Sequence, residues 1–600
     1  MADVKKLKTR EEIPQEFQWA LEDLFPSDEA WEETCVALEG KYDEIKGYQG
    51  RLAESADILL SCLCLTDEVE NLFERLLVYS NEKMHQDMGN AKYQGYAAKA
   101  QTASSRLAAA EAFFEPEILS MPEEKLNEFY KQNEKLKQYK TALDRILRRK
   151  AHTLSEKEEE LLAKTYEISS APEDIFSLFN NADAKFGTVV DEDGNEVELT
   201  HGRFTKLMES QDRRVRKDTF LAMYQTYDQF KNTLAATYAA NVKKAKFYAD
   251  VRSYPSALAA SLDGGNIPTG VYDNLIETVH GFLPAMYRYV SLRKRVLGVD
   301  ELHMYDVYVP LVKDYKMEVP FDEAKKLVEA GLAPMGEEYL GHLREGFTNH
   351  WIDVYENQGK RSGAYSWGAY GVHPYVLLNY QDKLDDVFTL AHEMGHALHT
   401  YYSNQNQPYT YAGYRIFVAE VASTCNESLL MQHLLKNSKD KKEKAYLLNH
   451  FIDQFKGTLF RQTMFAEFEK ITHEMYARGE SLTPKNLCGV YLDLNRKYFG
   501  DEMISDPLIA LEWARIPHFY TEFYVYQYAT GFSCAIALSK RILELKEAGV
   551  ADYMKFLTGG SKKDPIDLLK LAGVDISSPQ PVEDALHLFE ELVAELEVLL

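Results

Sequence analysis

At 600 residues and 45% hydrophobic content, the chain is long enough for more than one domain and apolar enough for a large core. Its 68 Lys and Arg against 94 Asp and Glu leave a net charge of −26, which repels a phosphate backbone; with no sustained basic stripe, nucleic acid is not an expected partner. No apolar run approaches the roughly 18 residues of a membrane span, and no apolar h-region follows the start, so neither a membrane nor a secretory route is expected. The six cysteines are scattered, and Cys62 and Cys64 stand too close together for a zinc pair. They read as reduced thiols of a cytoplasmic protein.

Residues 15 to 185 alternate charged and apolar faces as amphipathic helices, punctuated at Phe114-Glu115-Pro116 and Met121-Pro122. Ser155, followed by Glu158 and an apolar pair, predicts a capping box that opens a helix. The first β signal lies at 187–200, where Asp193-Gly194 between β-prone runs predicts a hairpin turn. A soft boundary there gives a helical N-terminal domain, 1–190, and a catalytic domain, 191–600, packed as one body. Helices resume from 203 to 297. A second β-prone patch, rich in Gly, Tyr, Trp and Val, runs from 351 to 380, and the remainder is helical. The expected class is mainly α, with a small sheet.

Within the helical stretch that follows, His392-Glu393-Met394-Gly395-His396 carries the chemistry. Histidines at i and i+4 share one helical face, about 6 Å apart along the axis, a spacing that lets both imidazoles grip one zinc ion. Glu393 is then placed to reach a metal-bound water. Leu390, Met394, Ala397 and Leu398 fall on the opposite face and should pack inward. Gly395 is costly inside a helix, so something should approach the backbone closely there. His399 also points to the reactive face, but it lies about 10 Å along the axis from His392 and cannot join it on one ion. It is expected to sit behind a ligand or line a channel, with a plain structural role as the alternative. His473-Glu474-Met475 repeats the opening of the motif, but Ala477 replaces the second histidine.

A catalytic zinc takes a third protein ligand and leaves one position open. Glu420 is the expected ligand: it lies beyond a turn, on a helix flanked by apolar residues where an unpaired carboxylate would be expensive. Glu427, two turns on, is either a hydrogen-bond partner that fixes a ligand tautomer or a solvated surface residue.

HEMGHALH followed by FVAEVAS resembles the thimet-oligopeptidase family of zinc metallopeptidases, in its oligoendopeptidase F branch. The likeness extends through FFEPEIL from Phe113, YDVYVP from Tyr305, RSGAYSWGAYGVHPYVLLNY from Arg361 and IPHFYTEFYVYQYATG from Ile516. It implies an α-helical ellipsoid split by a deep channel, with one zinc per chain at the floor and oligopeptides as substrates. It also implies that the 361–380 segment is a sheet edge onto which an extended peptide adds, through Ser362, Gly363, Ala364 and Tyr365. His518 matches the family's oxyanion-stabilising histidine, which a tyrosine accompanies. Here Tyr520, Tyr524 and Tyr528 form one helical stripe, and Phe519, Phe523 and Tyr526 another. Better-studied members carry tyrosines at the spacing of the second stripe, so this chain departs from them by two phenylalanines; Tyr526 is the first choice and Tyr524 the second. The expected reaction is hydrolysis of internal bonds of short peptides by a zinc-activated water, with Glu393 as general base. A carboxypeptidase is one rival. A non-catalytic peptide-binding scaffold is another, against which the intact Glu393 argues. No obligate protein partner is evident.

Overall fold

Amphipathic periodicity becomes helix along almost the whole chain in the computed structural model, which describes residues 7–312 and 317–600. Seven short strands complete the regular structure of the described residues: β1 (Thr188–Val190), β2 (Glu196–Glu198), β3 (Leu302–His303), β4 (Ile352–Asp353), β5 (Tyr365–Trp367), β6 (Tyr375–Leu377) and β7 (Met503–Ile504). β1 and β2 form the expected antiparallel hairpin, with Val189 opposite Val197. Its turn closes through Asp191 N–H to the Asn195 carbonyl at 2.9 Å, and Gly194 takes the positive φ of 83° that the turn requires. The Ser155 capping box is also present, with Glu158 Oε2 accepting the Ser155 N–H at 3.0 Å.

The chain falls into two compact units, each gathered from three stretches, whereas the soft boundary at residue 190 marks only the hairpin. One unit takes the described residues of Met1–Ala151, Lys316–His433 and Leu538–Gly573; the other takes those of His152–Tyr315, Leu434–Ala537 and Val574–Leu600. No helix among the described residues is long and apolar enough to cross a membrane.

In the first unit, the helices Asp28–Lys46, Ala56–Gln86 and Ala91–Glu111 enclose a core around Trp31, Tyr79 and Tyr96. The Trp31 ring stacks on Tyr96 at 4.2 Å, and its Nε1 donates to the Leu76 carbonyl at 2.9 Å. Tyr375 and Leu377 of β6 share that core. The three-stranded sheet runs β4-β6-β5, with β6 parallel to β4 and antiparallel to β5, so β5 is an edge strand. β5 and β6 pack directly on the helix Leu384–Asn406 that carries the histidine motif, which puts the small sheet beside the site.

The second unit is built along the helix Arg213–Val251. Two of its buried carboxylates are paired: Asp306 meets Arg216 at 2.7 Å and Arg213 at 2.8 Å, and Glu512 meets Arg461 at 2.5 Å. Without those partners, each buried carboxylate would destabilise the fold.

Candidate metal centre

Two helices cross to make the site. The motif helix begins on Asp385 and Asp386, whose charge suits a helix N-terminus. Asp386 also accepts the N–H groups of Gln381 and Lys383, at 2.8 and 3.0 Å. Leu390, Met394, Ala397 and Leu398 are buried, as the periodicity requires. The returning helix Ile416–Asn437 crosses it at Gly395: a Cβ there would lie 2.6 Å from Ser423 Cα and 2.9 Å from the Ala422 carbonyl oxygen. Only a glycine lets the two backbones approach so closely, which is the physical reason for Gly395. Asn426 fastens the crossing, donating to the Ala391 carbonyl at 3.2 Å and accepting from the Tyr339 hydroxyl at 2.9 Å.

With the crossing fixed, Glu420 and Glu427 flank the contact on one helix as His392 and His396 do on the other. Glu420 Oε2 lies 3.2 Å from His392 Nε2 and 3.4 Å from His396 Nε2. The three donor atoms all lie within 4.8 Å of one another. Glu427 Oε1 sits 2.6 Å from His392 Nδ1, against the imidazole and not out on a solvated surface.

The donor set fits a divalent cation. Nδ1 of His392 donates to Glu427 while Nε2 faces the Glu420 carboxylate, a contact that needs positive charge between the two atoms: a proton on Nε2, or a divalent cation in the proton's place. Two imidazole nitrogens and one carboxylate match a zinc site, not the all-oxygen cage of calcium or magnesium. Burial opposes charge on His392, yet Glu420 and Glu427 outweigh it and hold its pKa well above the usual value. Burial likewise opposes charge on Glu420, but the two imidazoles pull its pKa below the usual carboxylate range.

Glu393 is buried beside this cluster, and its Oε2 has no hydrogen-bond partner. Burial raises its pKa, against the pull of His392 and His396. His399 is fully buried and stacked on Tyr414, 3.8 Å between centroids and 8° between planes, with no hydrogen bond from either ring nitrogen. Burial and the neighbouring His396 drive its pKa down to about 3. Its ring therefore packs; it does not line open space.

Of the segment expected to receive peptide, Ser362 and Gly363 are exposed but precede the strand, and Ala364 is half-buried. Asn379 Nδ2 already donates to the Gly363 carbonyl at 2.8 Å. Tyr365 opens β5, but its side chain turns to the back of the sheet, where its hydroxyl lies 2.7 Å from His85 Nδ1. The strand edge available for pairing is Tyr365–Trp367.

In the second unit, the expected continuous helix through the tyrosines is broken. A 3-10 turn, Pro517–Tyr520, is followed by irregular chain with Phe523 at φ 54°, and the helix restarts at Tyr526. Spacing along one helix therefore cannot rank the tyrosines. Tyr526 is buried against Tyr272, 5.1 Å between ring centroids. Tyr524 instead lies parallel to the His518 ring at 6.0 Å, and the Tyr528 hydroxyl lies 3.3 Å from His518 Nε2. The structure gathers His518, Tyr524 and Tyr528 and leaves the first choice, Tyr526, in the core. Tyr528 was legible only as part of the other stripe.

The sequence model of peptidase family M3 matches residues 206–588, and that of oligopeptidase F matches residues 117–186. The chain belongs to peptidase family M3. Bacillus subtilis oligopeptidase PepF is 51% identical over 603 residues, covering 100% of this chain and 90% of that protein. Streptococcus agalactiae group B oligopeptidase PepB is 44% identical over 588 residues, covering 98% of each. Among solved structures, oligoendopeptidase F from Enterococcus faecium superposes with a TM-score of 0.74 at 38% identity, covering 95% of this chain and 99% of its own. A Chlamydophila abortus structure reaches a TM-score of 0.92 at 34% identity, covering 99% and 100%. Within family M3, these likenesses place the chain with the oligoendopeptidase F group, and it is a metallopeptidase.

Proposed function

We propose that this M3 metallopeptidase is a zinc endopeptidase that hydrolyses internal bonds of oligopeptides, with His392, His396 and Glu420 as ligands of a single ion. The observation that carries the reading is the convergence of His392 Nε2 and His396 Nε2 on Glu420 Oε2, beside a buried, unpartnered Glu393 oxygen. Zinc held there would supply Lewis acidity to a water and to the scissile carbonyl. Glu393 takes the proton of the attacking water on its carboxylate and returns it to the leaving amine; its raised pKa suits both steps. Glu427 keeps the hydrogen of His392 on Nδ1 and the lone pair on Nε2.

By the family resemblance, His518 with a tyrosine hydroxyl beside it, Tyr528 or Tyr524, is assigned the hydrogen bonds to the carbonyl oxygen as it gains charge. Burial lowers the pKa of His518, so at neutral pH it is an uncharged ring with one N–H to give. The backbone of an extended peptide adds to the outer edge of β5. The six free cysteines support a reducing compartment, the cytoplasm.

The deciding experiment incubates the protein with a doubly blocked, quenched peptide library, with and without a zinc chelator, and determines metal content in parallel. Internal cleavage that is lost with the chelator and restored by zinc is expected. In Glu393→Gln, metal should remain while turnover falls by about 10²–10⁴. Cleavage only at free C-termini, or near-normal turnover in Glu393→Gln, would overturn the assignment.

A further inference from the structure

Within the second unit, side chains from three helices hold the irregular chain between His518 and Tyr526. Asn241, on the helix Arg213–Val251, donates from Nδ2 to the Phe519 carbonyl at 3.0 Å. Ser261, on the helix Ala257–Asp263, donates from Oγ to the Glu522 carbonyl at 2.8 Å. Glu469, on the helix Arg461–Ala477, accepts the Phe523 N–H on Oε1 at 2.5 Å.

Of the three, Glu469 is the costly one. It is fully buried, and its second oxygen, Oε2, has no hydrogen-bond partner. A polar group kept in that state is expensive. Burial, against the pull of the Phe523 N–H, holds its carboxyl well above the usual range, so at neutral pH Glu469 is the uncharged acid.

What Glu469 holds is itself strained. Phe523 sits at φ 54°, a left-handed conformation that bulky residues rarely adopt and that persists only where the surroundings impose it. Its ring packs on Tyr272, 5.8 Å between centroids, and on His473, 4.5 Å away and one helical turn beyond Glu469. The turn at Phe523 decides where the next residues point. Tyr524 follows it directly, and the helix that carries Tyr528 begins at Tyr526. Tyr524 and Tyr528 are the rings gathered at His518.

We propose that Glu469 is a positioning residue for the reaction: its hydrogen bond to Phe523 locks the left-handed turn that presents Tyr524 and Tyr528 beside His518. The inference rests on the oxyanion role given to that group, and it extends the role to a residue that touches no substrate. Without the Glu469 acceptor, the Phe523 N–H would be buried and unpaired, and the turn would relax to find another partner. The tyrosine hydroxyls would move with it, and a displacement of about 1 Å costs up to about 100-fold in rate.

The test uses full-length, metal-loaded protein and a doubly blocked, quenched peptide, with metal content and melting temperature followed beside kcat and KM. Glu469→Gln copies the uncharged acid and keeps an oxygen for the Phe523 N–H, so kcat should stay within about 3-fold of wild type. Glu469→Leu fills similar space without an acceptor; kcat should fall about 10–100-fold, with KM and metal content little changed. In the background of Tyr528→Phe or Tyr524→Phe, whichever alone lowers kcat, Glu469→Leu should cost less than about 2-fold more, because the group it positions is already gone. Amide exchange reads the contact without turnover: the Phe523 N–H should exchange about 100-fold faster in Glu469→Leu than in wild type. Should Glu469→Leu fail to fold, Glu469→Asp, one methylene short of the amide, carries the same comparisons. Wild-type kcat in the Leu or Asp variant would overturn the proposal. So would a loss that multiplies fully with the tyrosine variant, a Gln variant as impaired as Leu, or rapid exchange of the wild-type Phe523 amide. If neither tyrosine variant lowers kcat, the oxyanion reading falls and takes the positioning role with it. If one does and Glu469→Leu does not, only the positioning role falls.

Discussion

Replacing Gly395 by alanine tests whether the helix crossing is what sets the metal site. The new Cβ would stand 2.6 Å from Ser423 Cα, 2.9 Å from the Ala422 carbonyl oxygen and 3.0 Å from the Ser423 nitrogen. Carbon atoms in contact prefer about 3.5–4.0 Å, so the helices must separate by about 1 Å. All three atoms are backbone, and no rotamer change can relieve the clash. Overpacking of this kind costs about 1–3 kcal/mol, while alanine returns up to about 1 kcal/mol in helix propensity. The net loss of stability should be modest, about 0–2 kcal/mol. The loss of metal should not be modest. Metal–ligand distances tolerate about ±0.2 Å, so Glu420, carried off by about 1 Å, would leave two histidines holding the ion. Affinity should fall by at least the roughly 10–100-fold that loss of an outer partner causes. Metal affinity by chelator competition and thermal melting of the metal-free protein would be measured side by side. Gly341→Ala serves as the control: that glycine is helical, exposed and has nothing within 4 Å of its ideal Cβ, so it should gain about 0.5–1 kcal/mol and leave the metal alone. Wild-type metal affinity in Gly395→Ala would refute the argument that this crossing positions Glu420.

Glu427→Gln should lower metal affinity about 10–100-fold without emptying the site, read by the same competition, because His392 loses its charged orienting partner but remains a ligand. Tyr528→Phe should reduce kcat by about 10²–10³ with KM little changed, whereas Tyr526→Phe should not; the reverse order would return the oxyanion role to the buried residue. Glu82 is fully buried, neither of its oxygens has a hydrogen-bond partner, and burial followed by the charge of Asp353 holds its pKa well above the usual value. The folded state therefore keeps a proton that the unfolded chain releases at about pH 4.3, so the stability tied to that proton is full below about pH 4 and is lost as pH rises above it. Glu82→Gln cannot ionise, so its melting temperature relative to wild type should rise from pH 4 to pH 8; a difference independent of pH would mean that Glu82 is charged in the fold.

Local chemistry was enough to single out the His392–His396 motif as a candidate metal site. The i, i+4 histidines, the packed face of Leu390, Met394, Ala397 and Leu398, and the hairpin at Asp193-Gly194 each follow from a short-range rule, helical or turn geometry acting within a few residues. Gly395 announced a close backbone approach for the same reason, since a glycine inside a helix is costly unless its missing side chain is used. Glu420 could be read because an unpaired carboxylate on an apolar helix is expensive, although its partners lay in another segment.

What sequence could not rank was decided by elements far apart in the chain. Glu427 stood even between surface and site until the crossing at Gly395 and Ser423 set it against His392 Nδ1. His399 shared the reactive face on a helical wheel, but a wheel says nothing about Tyr414, whose ring covers it. The tyrosines were ranked on the assumption of one continuous helix, and Phe523 in the left-handed region breaks it, moving Tyr526 into the core and bringing Tyr524 and Tyr528 to His518. Side-chain periodicity fixes which face of an element is buried; only the packing of distant elements fixes what that face meets.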